Sequence, residues 1–364
     1  HLSIQIPLLL STEFWVKFKT DFFKLNFLKK DEDGYLATLQ MVTLAFPRIV
    51  SSGIEFIMNK YFLLYSLTLG IVSQQRFYYA SSLMMIPFSM FVQSYVVIAF
   101  PNLSKAFADN DMETFKKTFI ETVNKILFYV VPLTAIFLVL RVPFVRLTFG
   151  LYPGISKFEW NDTLGIAYLI FFFSIGLIPE VINAVINRVF YNAHNTKIPF
   201  LVNLLLISLA ILFSSIFIGY FASLKTLNIA EVFFPNVVRE NIGENIQTNG
   251  ASIGGIALAI SLANIVVFII NSSIINKKYF KLTFDEYWVT ILNKLAAGSI
   301  MALAMYLSVK LWEFNVETST VWVLMVATTS SIAIGLIAYL LTSMFLKVEE
   351  AYYLKSKLKS FLYL

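Results

Sequence analysis

Five polar residues, Arg48, Ser52, Glu55, Asn59 and Ser66, stand inside one long apolar stretch at intervals that place them all on a narrow stripe of a helix. A guanidinium in that setting can hold an anionic group, and a carboxylate nearby can take a proton or a cation. The plain alternative is an Arg48 to Glu55 pairing that only ties helices together. Arg48 also stands near enough to the end of the stretch to reach a membrane surface along its own stem. Two further stretches carry weaker stripes: Tyr78, Ser82, Ser89 and Gln93 share one face, and Glu180, Asn183 and Asn187 share another. Ser and Asn also serve contacts between membrane helices, whereas a carboxylate deep in an apolar helix is costly without a partner, so Glu180 is the stronger signal. Together these residues are candidate lining for a hydrated substrate cavity. Lys60 lies off the first stripe, and the sequence offers it no evident partner.

The elements that must position these side chains are membrane spans. The chain is 58% apolar and 14% charged, with a mean hydropathy of +0.74. Soluble domains carry about a quarter charged residues, so this chain lacks the polar surface to cover a globule in water, and disorder, a coiled coil and nucleic-acid binding are excluded with it. A span needs about 20 mostly apolar residues. Eight segments qualify: 39–69, 78–101, 119–149, 163–191, 198–222, 251–276, 288–312 and 320–346. The expectation is an all-α polytopic membrane protein with eight transmembrane helices, several bent at Pro87, Pro132 and Pro179.

Lys and Arg are distributed unevenly between the two sets of connections. Nineteen fall on the side holding both ends of the chain and seven on the other, with Arg48 and Lys60 inside the first span. The positive-inside rule then makes both termini cytoplasmic. Residues 12–30 carry Phe14, Trp15, Phe18, Phe22 and Leu25 on one helical side and Lys17, Asp21 and Lys24 on the other, and read as an interfacial helix on that surface. The chain begins with His, and HLSIQIPLLL looks like the tail of a preceding apolar segment, so an amino-terminal truncation is expected. Cysteine is absent and the only histidines are His1 and His194, which argues against thiolate, His-pair and His-rich metal chemistry. No nucleotide-binding or hydrolase motif is present, and Gly254-Gly255 fits close helix packing better than a phosphate cradle. No enzyme, catalytic residue, cofactor or metal is expected.

Several strings resemble the carboxy-terminal part of the MurJ (MviN) lipid II flippases, a family of the multidrug/oligosaccharidyl-lipid/polysaccharide exporter superfamily. YYASSLMMIPFSMF at 78–91 is similar to the family's Y-A-D-R-L-x-x-x-P segment, and AFPNLSKAFADND at 99–111 to its L-P-x-L-S-x-x-x-A turn. PFVRLTFG at 143–150, FYNAHNTKIPF at 190–200 and GGIALAISLAN at 254–264 resemble P-I-V-R-L-L-F, F-Y-A-x-x-D-T-x-T-P and G-L-A-L-A-T-S-L-A. Order and spacing agree over roughly residues 40–280.

The resemblance implies a fourteen-helix protein of two six-helix lobes and a final pair, here represented by its second lobe plus the two last helices. Residues 1–38 would be the end of a preceding segment and the interfacial helix, 39–276 the six-helix lobe, 277–346 the two additional helices and 347–364 a cytoplasmic tail. The implied activity is movement of an undecaprenyl-pyrophosphate-linked peptidoglycan precursor across a bacterial inner membrane by alternating access. Its partners would be that polyprenyl-pyrophosphate-linked sugar and membrane lipids, not nucleic acid, and the complete protein would be a monomer. The sequence departs from the family at two places. Ser81 and Ser82 stand where the family has an Asp-Arg pair, and an ungapped match puts Phe62 where some members have an acidic cation ligand, so that cation site is not carried over. A flippase for another lipid-linked oligosaccharide of the superfamily, or a non-transporting membrane scaffold, are the alternatives.

Overall fold

The structure is a computed structural model and describes residues 49–50, 53–54, 56–150, 158, 160–223, 252–315 and 321–362. Every regular element among them is helical. Residues 56–67 (α1) lead through a turn at Gly70 into Ile71–Pro87 (α2). Gly70 has φ 117, a conformation that a side chain at Cβ would strain. Pro87 cannot donate to the helical ladder, and a widened π-helical turn, Phe88–Val92, follows it before Gln93–Ala108 (α3). Residues 71–108 thus form one rod with an irregular middle.

Among the described residues, six helices are long and apolar enough to cross a membrane. They are Met112–Val139 (α4), Trp160–Asn192 (α6), Lys197–Ser223 (α7), Ser252–Lys278 (α8), Thr290–Asn315 (α9) with the π turn Phe284–Val289 before it, and Val321–Phe345 (α10). The short Arg141–Phe149 (α5) follows directly on α4. Of the eight expected spans, the first, 39–69, is described only in part, from residue 49 onward, and its helix ends at residue 67. The second is the broken rod, whose two α-helical pieces of 17 and 16 residues are each too short to span alone. The segment expected as a tail continues as a helix, Glu349–Leu362 (α11).

Three connections at one end of the bundle are made the same way. Asn110, His194 and Lys347 have positive φ, and the next residue's N–H reaches back five residues: Asp111 to Ala106, Asn195 to Phe190 and Val348 to Ser343, each at 2.9 Å. This is the Schellman closure, which satisfies carbonyls left orphaned at a helix end and lets the chain reverse tightly. Asp111 then caps α4, accepting from the Thr114 N–H at 3.0 Å and its hydroxyl at 2.6 Å.

The core sits where α6 runs between α4, α2 and α8. Ile166, Ala167, Ile170, Val185, Ile186, Val189 and Phe190 of α6 are buried in one cluster with Phe119, Val123, Ile126 and Leu127 of α4. Small residues bring the backbones together, as packing in lipid favours. A Cβ on Gly176 would lie 2.6 Å from the Ser261 Cα, and one on Gly255 would lie 2.9 Å from the Phe217 carbonyl carbon of α7. The α9–α10 hairpin is pinned internally by Ser308 to Ser331 at 2.9 Å and by the Trp312 indole to Ser330 at 2.9 Å. It attaches to the rest through α4, where Tyr339 donates to the Phe128 carbonyl at 3.1 Å and Gly298 faces Val131.

Candidate functional site

The three sequence stripes have different fates. Arg48, Ser52 and Glu55 lie outside the described residues. Asn59 is exposed on α1, whereas Ser66 is fully buried and donates to the Leu63 carbonyl at 2.6 Å. Phe62 is among the most buried side chains of the molecule, so the position where some relatives carry a cation ligand is here part of the core. Lys60 is exposed, with its ammonium 5.5 Å from the Phe56 ring centre, a cation–π contact that gives it a partner one turn back.

On the α2 rod the polar stripe faces outward. Tyr78 is 55% exposed, and Ser82 and Ser89 are exposed as well. Their hydroxyls donate within the helix, Ser82 to the Tyr78 carbonyl at 2.7 Å and Ser89 to the Ile86 carbonyl at 3.0 Å, with Ser81 and Ser94 doing the same. These hydroxyls carry no buried penalty and keep acceptor lone pairs for a partner. Gln93 lies on the same rod in α3, its side chain outside the described set.

The α6 stripe does not act as one surface. Asn183 is 5% exposed; its amide donates to the Asn264 carbonyl at 3.0 Å and its oxygen accepts from Asn271 at 3.0 Å. It ties α6 to α8, beside Ser261, which donates to the Phe172 carbonyl at 2.7 Å. Glu180 is half-buried and engaged by its surroundings. Asn187 is half-buried, and its buried side-chain oxygen has no hydrogen-bond partner among the described residues, as is true of the Asn271 oxygen.

Sequence reasoning passed over the most elaborate polar arrangement. Arg76 of α2 donates through Nε and Nη2 to Oδ1 of Asp162, at 3.1 and 2.9 Å, across the seam between α2 and α6. The signal was available: both residues fall at the start of an apolar segment on the same side of the charge count. Pairing depth with sign would have matched them. Because the guanidinium is already engaged, Arg76 is not a spare cation that could stand in for the one missing at Ser82. Among the described residues no three His, Asp or Glu side chains converge as a metal site would require.

A family model described as "Lipid II flippase MurJ" matches residues 8–233, well over half of the chain. The chain belongs to this family. Among solved structures, the MurJ flippase in its inward closed conformation is similar over 86% of this chain and 53% of its own, at 20% identity and a TM-score of 0.52. That likeness is one of fold, and the chain spans about half the length of that MurJ structure. An outward-facing multidrug resistance MATE family transporter of the MOP superfamily matches 86% of this chain and 67% of its own, at 14% identity and a TM-score of 0.49. A MOP superfamily transporter from Pyrococcus furiosus does so over the same shares, at 14% identity and a TM-score of 0.44. No curated protein sequence matches at a significant level. This MurJ-family chain is therefore a polytopic membrane protein of a flippase family, with its polar α2 rod on the outside of its own bundle.

Proposed function

We propose that this chain is the second lobe and final helix pair of a flippase that moves lipid II from the inner to the outer leaflet of a bacterial cytoplasmic membrane by alternating access. In this reading both ends of the chain are cytoplasmic, α1 and the α2–α3 rod supply the first two of eight spans, and the complete protein works as a monomer. The observation that carries it is the outward-facing stripe of Tyr78, Ser82 and Ser89 on a rod bent by Pro87. In a membrane chain of this family, a wettable stripe pointing away from the lobe's own core is what a cavity shared with a partner lobe needs. Arg48, Ser52, Glu55, Asn59 and Gln93 extend that wall in the proposal, with Glu180 and Asn187 as further candidates on α6. Asn183 serves the α6–α8 contact instead.

The test is rescue. The complete protein, produced in cells depleted of their own lipid II flippase, restores growth and outer-leaflet lipid II; correct insertion without rescue overturns the substrate assignment. One observation favours a second reading, a flippase for another polyprenyl-pyrophosphate-linked oligosaccharide. Ser81 and Ser82 replace the family's charged pair, and Arg76 is held by Asp162, so this lobe offers a less cationic wall than its relatives. Rescue of a different lipid-linked glycan pathway, with none of lipid II transport, is the outcome that reading expects.

A further inference from the structure

A cavity of about 300 Å³ opens at the end of the bundle opposite the three Schellman turns. Its floor is the Arg76–Asp162 pair with Gln75 beside it, and its wall is aromatic, formed by Tyr79, Phe149 and Phe158. The ring centres of Tyr79 and Phe149 are 4.9 Å apart and those of Phe149 and Phe158 are 5.8 Å apart, a continuous aromatic surface. The floor is held in place by a glycine. A Cβ on Gly165 would lie 2.6 Å from Cδ of Arg76 and 2.9 Å from its Nε, so the arginine lies directly along α6 at this glycine, and a methyl there would make it shift. Arg76 and Asp162 keep 14% and 26% of their side chains accessible, so the pair is partly open to whatever enters.

The chemistry of the lining selects the occupant. A phosphate would meet the Asp162 carboxylate beside its arginine, and an alkyl chain would strip water from the ion pair and the Gln75 amide while offering no hydrogen bond in return. A neutral polyhydroxylated ring has what both surfaces want: hydroxyls on its edge for charge-assisted bonds to the guanidinium and carboxylate, and an apolar C–H face for the aromatic wall. The volume is at the small end of ligand sites, enough for one sugar ring with part of a second.

We infer that this pocket is a saccharide site that takes a neutral hexose or N-acetylhexosamine ring. The inference deepens the flippase reading and rests on it only for the source of the ring, the glycan of the lipid-linked substrate arriving at the outer end of the α2 stripe.

The experiment measures binding rather than translocation. The full chain in detergent is photolabelled with a diazirine derivative of N,N′-diacetylchitobiose, and labelled peptides are mapped by mass spectrometry. Label is expected on the segments carrying Gln75–Tyr79 and Phe158–Ile166. Excess unmodified disaccharide suppresses it, and inorganic pyrophosphate at equal concentration does not. Gly165→Ala, which displaces Arg76 without changing charge, and Tyr79→Leu, which opens the wall, each reduce labelling at least five-fold while circular dichroism and gel filtration are unchanged. If either variant misfolds, the other and the competition still decide. Label elsewhere, label indifferent to both variants, or equal suppression by pyrophosphate overturns the saccharide assignment. Labelling at the pocket together with failed rescue overturns the lipid II reading and leaves the site standing; rescue without labelling does the reverse.

Discussion

Single side chains in this protein divide by whether another helix already answers them. Asn183 and Ser82 look alike in the sequence, each a small polar residue on a helical stripe, yet Asn183 is closed off between α6 and α8 while Ser82 faces outward. Residue type and spacing revealed the stripes; they could not reveal which neighbour covers each one, because that depends on contacts some 80 residues away in the chain. Replacing Asn183 by Leu removes the acceptor of the fully buried Asn271 amide, and a lost buried bond in a membrane protein costs about 1–2 kcal/mol. The Asn183→Leu, Asn271→Leu double variant is expected to recover part of that loss, since it leaves no stranded amide. Denaturant unfolding in detergent measures the coupling, and additive losses would remove the assigned contact. Asp111 offers a pH test outside the spans. Its carboxyl is held below the ordinary range first by the Thr114 hydroxyl and then by the Thr114 N–H. A lowered folded-state pKa means the cap is fully present above the unfolded carboxylate range and is lost as pH falls through the lowered value. Protection of the Thr114 amide in hydrogen exchange is expected to hold at neutral pH and fall in that acid window. In Asp111→Ala it is low at every pH.

Helices meet in this bundle where glycine and serine allow it, and the contrast between two glycines tests that directly. Gly176→Ala would drive a methyl to 2.6 Å from the Ser261 backbone, which cannot move aside without parting α6 from α8. Overpacking of that kind costs about 1–3 kcal/mol, so the thermal midpoint should fall. Gly219 on α7 has nothing within 4 Å of its missing Cβ, and Gly219→Ala should leave the midpoint unchanged or raise it slightly through better helix propensity. Equal effects at the two sites would refute close packing as the reason for Gly176. Element positions were largely legible, since six of the eight apolar segments coincide with helices long enough to span. What composition could not give was the break in the second. Pro87 is visible, but whether its missing donor produces a smooth kink or a widened turn depends on the packing around it. The carboxy-terminal helix was missed for a related reason: its three lysines and two glutamates read as a charged tail until Glu350 finds Lys294.

That ion pair closes the carboxy-terminal helix onto the hairpin it follows. The α9–α10 hairpin meets the rest of the bundle mainly along α4, and α11 lies against the same junction with Val348 and Ala351 buried and the Tyr352 hydroxyl on the Met344 carbonyl at 2.9 Å. Lys294 enters from α9 with no accessible surface, its ammonium 3.3 Å from Glu350, whose side chain is 18% exposed. Removing one member of a buried pair leaves the other charge stranded, at a cost of about 3 kcal/mol. Glu350→Gln is therefore expected to release α11 and speed trypsin cleavage at Lys355 several-fold, while Lys294→Met with Glu350→Leu restores protection because neither charge remains. The exposed Lys310–Glu313 pair is the control: both side chains are more than 40% accessible, and Glu313→Gln should change stability by less than about 1 kcal/mol and cleavage at Lys355 not at all. If Glu350→Gln cuts no faster than the control, something other than this pair answers the buried Lys294 and holds α11 in place.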